Sequence, residues 1–237
     1  RTLRQLPGNA CEGYASTPTA STPKALVWFT RTRLVTGDAS GRLRSASTPG
    51  IGSTCEGKGV AADRRGRRAW IAGPSGVVEV DLQTMRVTAS VRGAVPRGSR
   101  RVSVVWTARH QVTVAHLTAG FRPAGVELVD TEANTRRIID SAGGGVRYAQ
   151  GRLLVFDGGD GVQRSPAHRG LRVYDTRGRL RYRRLRGKHV WNVQVRGGRA
   201  WLLGSTGVTV MDVRSGKVLS RWAGRAPDDL TFLTPPL

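Results

Sequence analysis

Gly207-Val208-Thr209-Val210-Met211-Asp212-Val213-Arg214-Ser215-Gly216-Lys217-Val218-Leu219 is the stretch that decides the fold. A glycine opens an apolar run, an aspartate closes it five positions later, and a Ser-Gly turn leads into a second apolar run. The same glycine and aspartate recur in Gly76 to Asp81, Gly125 to Asp130 and Gly170 to Asp175. Successive copies lie 49, 45 and 37 residues apart, a spacing typical of stacked repeat units. A fainter copy, Gly41-Arg42-Leu43-Arg44-Ser45-Ala46, lacks the aspartate.

Each copy sits in a longer pattern. A strand opening with Arg or Gly-Arg precedes it, as in Arg68 to Gly73, Gly151 to Phe156 and Arg199 to Gly204. Further upstream comes an alternating segment such as Val102 to Trp106 or Val190 to Val195, whose period of two predicts one buried face. A fourth strand follows the aspartate, for example Lys217 to Trp222. Four short antiparallel strands per repeat describe a propeller blade. The repeated aspartates are expected to accept backbone N–H bonds in the turn between the third and fourth strands, with glycine supplying positive φ.

The run Val210 to Leu219 resembles the blade consensus of PQQ-like and YVTN-type propellers: an apolar strand, Asp, two variable residues, Thr or Ser, Gly, Lys, and a second apolar strand. The resemblance covers blade scaffolding from about Ala25 onward and implies an architecture, not an activity. Quinone-dependent members often carry adjacent cysteines, and no Cys-Cys occurs here, so no PQQ is expected. The fold expected is an all-β β-propeller of four-stranded antiparallel blades, about five full blades plus a split one, over a single domain of residues 1–237. Residues 1–8 read as the outer strand of the closing blade and 229–233 as its inner strand; a fragment of a longer propeller is the alternative.

The formal charge of +23 rests almost wholly on arginine, since the lysines are Lys24, Lys58, Lys188 and Lys217. Such a surface attracts polyanions: nucleic acid, anionic lipid and acidic cell-wall polymers all suit it. Arginine-rich codon usage is the alternative origin of the charge. No stretch reaches the roughly 18 apolar residues of a transmembrane segment. The chain begins at Arg1 without a visible signal peptide and reads as a mature or excised piece. Cys11 and Cys55, in the contexts Cys11-Glu12-Gly13 and Cys55-Glu56-Gly57, lie about one blade apart. They are candidates for a disulfide in an extracytoplasmic compartment, secreted or in the cell envelope; two reduced thiols are the alternative.

Arg177, Arg179, Arg181 and Arg183 would line one face of a strand about 7 Å apart, with Arg184 and Arg186 at its edge. That ladder is the polyanion-binding candidate, against a protective role for charge on an edge strand. Further basic clusters occur at Arg64, Arg65, Arg67 and Arg68 and at Arg97, Arg100 and Arg101. In Asp157-Gly158-Gly159-Asp160-Gly161 two carboxylates among glycines could hold Ca2+, although no distal Glu closes a site and a solvated hairpin turn is the better explanation of the motif. His110, His116, His168 and His189 lack metal-ligand neighbours, and no G-x-S-x-G elbow appears. Six tryptophans read mainly as packing between blades, with Trp28 and Trp222 in less regular surroundings. The function expected is a non-enzymatic binding or scaffold module presenting a basic surface to a protein or anionic polymer. The alternatives are a lactonase- or quinoprotein-like enzyme with an axial metal site and a nucleic-acid-binding scaffold.

Overall fold

A computed structural model describes residues 19–224 except 31, 50, 52–57, 74, 94–98, 119, 121 and 159–167. Its secondary structure is β throughout, in five four-stranded antiparallel sheets. The first holds β1 (Thr19–Ser21), β2 (Ala25–Phe29), β3 (Arg33–Asp38) and β4 (Leu43–Ser47). The second holds β5 (Gly59–Ala62), β6 (Arg68–Gly73), β7 (Gly76–Asp81) and β8 (Arg86–Arg92). The third comprises β9 (Ser99–Ala108), β10 (Gln111–Thr118), β11 (Pro123–Asp130) and β12 (Thr135–Asp140). The fourth comprises β13 (Gly145–Ala149), β14 (Arg152–Phe156), β15 (Leu171–Asp175) and β16 (Leu180–Arg184). The fifth comprises β17 (Val190–Arg196), β18 (Arg199–Gly204), β19 (Gly207–Asp212) and β20 (Val218–Trp222). Strand order follows chain order in every sheet, so each blade is a meander. Residues 1–8 and 229–233, assigned above to a closing blade, lie outside the described residues, as do Cys11 and Cys55.

The chain divides into two compact units, Arg1–Val114 with Leu128–Arg137 and Ala115–Glu127 with Ile138–Leu237. Two apolar clusters fill the first. Val27, Phe29 and Leu34 pack with Ala69, Ile71, Val78 and Val80 in one, while Trp70, Ala72 and Val77 pack with Val104, Val112 and Val114 in the other. Ala69 and Ile71 thus join one cluster while Trp70 and Ala72 join the other, as a strand's alternation of side chains requires. Middle strands therefore bury both faces, and β6 is apolar at nearly every position instead of alternating. In the second unit Leu154, Phe156, Leu171 and Val173 pack with Val193, Leu202 and Met211. Fourth strands are mostly exposed, which is where their polar residues fall.

The repeat glycine opens the third strand against the end of the fourth. Gly207 has φ 99°, and a Cβ there would lie 2.1 Å from the Trp222 carbonyl; Gly76, at φ 149°, would meet the Val91 carbonyl at 2.4 Å. Only hydrogen fits. The repeat aspartates close turns as expected. Asp81 Oδ1 accepts from the Gln83 and Thr84 amides at 2.9 and 2.7 Å, and Asp130 Oδ1 accepts from Glu132 and Ala133 at 3.1 and 2.9 Å. Asp212 Oδ1 accepts from the Ser215 amide and hydroxyl, each at 2.7 Å. The Thr84 amide above all holds the Asp81 carboxyl below its ordinary range, and the Ser215 hydroxyl does so for Asp212.

The faint copy at Gly41 to Ala46 is misaligned by sequence. The third strand of the first blade is β3, and its aspartate is Asp38, which accepts from the Ser40 and Arg42 amides at 2.9 and 3.0 Å. Arg33 stands where the other blades have glycine, so the repeat is hidden from a glycine-anchored reading.

Candidate functional site: a basic cleft on the second blade

The turn joining β5 to β6 is Asp63-Arg64-Arg65-Gly66-Arg67. Asp63 Oδ1 accepts the Arg67 amide at 2.8 Å and its own amide bonds the Arg68 carbonyl at 3.0 Å, so the carboxylate ties the turn together. Gly66, at φ 64°, lets the chain reverse. Arg64, Arg65 and Arg67 are thereby thrown into solvent. With Arg68, Arg109 and Trp106 they wall a cavity of about 550 Å³ in which Asp63 is the single acidic residue. Arg64 lies over the Trp106 ring, 5.9 Å from its centroid. A neighbouring cavity of about 750 Å³ shares Arg65, Arg67 and Arg68 and adds Lys24, Arg42 and Arg44, with Asp38 and Asp81. Both acids there already serve their turns.

Arg68 is held from beneath. Its Nε lies 3.1 Å from Oε1 of Glu79 on β7, a carboxylate 1% exposed. Trp70 Nε1 donates to Glu79 Oε2 at 3.2 Å, the Thr88 hydroxyl donates to Oε1 at 3.2 Å, and the Thr131 hydroxyl lies against Oε2. His110 Nδ1 lies 3.1 and 3.2 Å from the two oxygens. A buried carboxylate is tolerable only when so surrounded. Sequence reading picked out the arginine run but missed Glu79. The available signal was an acid in the middle of an apolar strand that buries both faces.

Two further buried polar groupings lie in the second unit. His116 and Glu127 pair at 2.9 Å with both side chains nearly inaccessible. Asp140 Oδ2 meets Arg172 Nε at 2.5 Å and the Tyr174 hydroxyl at 2.8 Å, while its Oδ1 accepts the Ala142 and Gly143 amides at 2.7 and 2.8 Å. Burial and the adjacent Asp140 charge push the Tyr174 phenol well above its ordinary range.

Asp157 belongs to this second grouping. Its Oδ2 accepts the Gly170 and Val190 amides at 3.0 and 2.9 Å, and Oδ1 stands 3.6 Å from Arg172 Nη1. The carboxylate thereby joins the start of β15 to the start of β17, facing a guanidinium. Asp160 lies outside the described residues. Among the described residues no group of three or more His, Cys, Asp or Glu could hold a metal ion.

The arginine ladder is shorter than its spacing suggested. Strand β16 begins at Leu180, so Arg177 and Arg179 occupy the preceding turn, whose amides bond Asp175 Oδ1 at 2.9 Å each. The strand itself carries Arg181 and Arg183, both exposed, with a register shift at Arg181. Arg181 Nη2 pairs with Asp175 Oδ2 at 2.9 Å. Arg184 is a clip between blades: its Nε donates to the Gly216 carbonyl at 2.7 Å and its guanidinium covers Tyr182. Arg186 is exposed in the next turn. Arg97 lies outside the described residues. Trp28 is buried, and Trp222, 56% exposed, sits on the edge strand β20.

Five four-stranded meanders, each with the turn aspartate and four of them with the repeat glycine, make the chain a β-propeller. No protein-family model and no curated protein matches it. Solved structures do. The WD40 domain of Neurospora crassa Pan2 aligns with TM-score 0.55 at 13% identity, covering 80% of this chain and 59% of that one. A gluconolactonase from Xanthomonas campestris aligns with TM-score 0.50 at 16% identity, over 86% of this chain and 74% of the other. The extracellular domain of a one component system from B. thetaiotaomicron aligns with TM-score 0.54 at 11% identity, over 83% and 28%. The chain thus spans less than two thirds of two of these. At such identities the likeness concerns the propeller architecture alone.

Proposed function

We propose that the protein is a non-enzymatic binding module, secreted or envelope-associated, that presents the basic turns of its second blade to an anionic macromolecule. The observation that carries this reading is the cavity walled by five arginines, whose single acid is already tied into its own turn. Permanent guanidinium charges gathered in a concave site focus the field, attracting anions over several ångströms and gripping their oxygens bidentately on arrival. The exposed arginines around β16 form a second basic patch.

Heparin serves as the probe. Binding should weaken steeply with salt, and replacing Arg64, Arg65, Arg67 and Arg109 together with Gln should flatten the log–log slope by about three to four. An unchanged slope in a folded variant would overturn the assignment of the cleft.

A further inference from the structure

The smaller cavity holds more than charge. It combines arginines with an indole, and one of those arginines is fixed while the others stand on two exposed turns, β5–β6 and β9–β10. We propose that it receives a nucleotide unit, with the phosphoryl group on Arg67, Arg68 and Arg109 and the base against Trp106 and Arg64. This rests on the reading of the cleft as an anion receptor and names what kind of anion it takes.

Three observations converge on that chemistry. First, five guanidiniums around one cavity repel one another, and a monoanionic carboxylate relieves little of that repulsion. A phosphoryl group brings up to two charges and three oxygens in the fork geometry that guanidinium matches. Second, the volume of about 550 Å³ lies within the range of small-ligand sites and far exceeds what a bare phosphate fills. Third, the remaining wall is aromatic. Trp106 packs against the buried cluster of Trp70, Val104 and Val114, so its ring is held in place, and the Arg64 guanidinium lies over it, 5.9 Å from the centroid, where a base can enter between or beside them. A flat base gains from stacking on such a pair and a sugar sulfate does not.

Arg68 is the anchor. Glu79 takes its Nε, and Glu79 in turn is fixed by Trp70, Thr88, Thr131 and His110. The guanidinium is therefore oriented before a ligand arrives, which lowers the entropy lost on binding. Its side chain, 23% exposed, borders both cavities. A phosphoryl group seated on Arg68 can thus belong to a free nucleotide in the smaller cavity or to a strand whose next phosphate enters the larger one.

AMP, pyrophosphate and a short single-stranded oligo(A) RNA are titrated into the wild-type chain and into Trp106→Leu, Trp106→Phe and Arg67→Gln variants, with thermal melts alongside. Trp106→Leu should weaken AMP roughly tenfold or more and leave pyrophosphate within about twofold, because only AMP has a base to stack. Trp106→Phe should keep most of the AMP affinity, and Arg67→Gln should weaken both ligands. AMP binding stronger than or equal to that of each nucleotide in the RNA assigns a free nucleotide; RNA binding that exceeds it and shares the Trp106 dependence assigns a strand. If Trp106→Leu melts early, Trp106→Met, which restores more of the packing volume but has no ring for a base to stack on, replaces it, with the same selective loss expected. Equal effects on AMP and pyrophosphate would overturn the proposal. Salt-sensitive heparin binding that survives such a result would leave the polyanion reading of the cleft standing; loss of heparin binding as well would remove both.

Discussion

Arg68 and Glu79 meet across adjacent strands at 3.1 Å, the carboxylate fully buried and the guanidinium at the cleft wall. Their relationship separates two effects that usually move together. Glu79→Gln removes a negative charge near an anion site, which by field alone should tighten anion binding. It also frees Arg68, which should weaken binding. Orientation should win, because the Glu79 charge is already compensated by Arg68 and by the donors around it, while a preformed guanidinium acts on the anion at contact distance. Heparin or pyrophosphate affinity is expected to fall, and unfolding free energy to drop by about 1–3 kcal/mol. Tighter binding in the variant would show that Glu79 is no more than a stabilising counter-ion.

Asp157→Ala is expected to destabilise by about 3–5 kcal/mol in urea unfolding, because it strips the Gly170 and Val190 amides of their acceptor and leaves Arg172 with one buried carboxylate fewer. Added calcium should leave the wild-type midpoint unmoved, since a guanidinium already faces Asp157 Oδ1 where a cation would approach. A calcium-dependent rise in Tm that Asp157→Ala abolishes would restore the metal reading of that loop.

Gly207→Ala and Gly151→Ala share a positive φ but differ in surroundings. At Gly207 the new methyl meets the Trp222 carbonyl, whereas at Gly151, φ 71°, it meets nothing within 4 Å. Gly151→Ala should cost about 1 kcal/mol for the left-handed backbone alone. Gly207→Ala should cost clearly more and loosen β20, visible as faster amide exchange along that strand.

Lys58 lies over the Phe29 ring at 4.3 Å, and burial pushes its ammonium down to about 8. The unfolded chain holds that proton until near pH 10.4. Below about pH 8 both states are protonated, and the folded state carries the full cost of the buried charge. Between about pH 8 and 10 the folded lysine loses its proton first, the unfolded state binds more protons, and stability rises with pH. Urea midpoints at about pH 7.5 and 9.5 should show this rise in the wild type and not in Lys58→Met.

Replacing Arg177, Arg179, Arg181 and Arg183 together with Gln should leave the unfolding free energy within about 1 kcal/mol, the Arg181–Asp175 pair being half exposed. Arg184→Gln alone should lower it by a similar or larger amount, because it breaks the bond to the Gly216 carbonyl and uncovers Tyr182. A larger loss from the fourfold change than from Arg184→Gln would mean that the turn arginines hold the blade together.

The repeat was legible because its markers are set by local backbone geometry. A glycine that meets a carbonyl and an aspartate that closes a turn must appear at fixed positions whatever surrounds them. Where Arg33 replaces that glycine, the pattern slid onto the next strand and hid Asp38. The ladder failed for a related reason: alternation places side chains only inside a strand, and nothing in Arg177 to Arg186 marks Leu180 as its start. The cleft was half visible. Arg64 to Arg68 stand together in the chain, but Trp106 and Arg109 arrive some 40 residues later from another blade, a meeting that only the stacking of repeats brings about. Glu79 and Arg172 stand unremarked inside their strands: a charge in an apolar run hints at burial, but what it does there is recognisable only through its partners.

The exposure of the fourth strands, set beside buried middle strands, has a consequence for how such a chain can vary. The exposed positions of β8, β12, β16 and β20, Asp140 and Arg184 set aside, can exchange one polar side chain for another without reaching the apolar clusters, so surface potential and foldability are inherited largely through separate sets of codons. A lineage could invert the sign of its outer face in a handful of substitutions and keep its blades. The tight turn of the second blade has no such latitude: there Asp63, Gly66 and the Arg68–Glu79 contact link charge to backbone shape, and drift in one would be felt in the other.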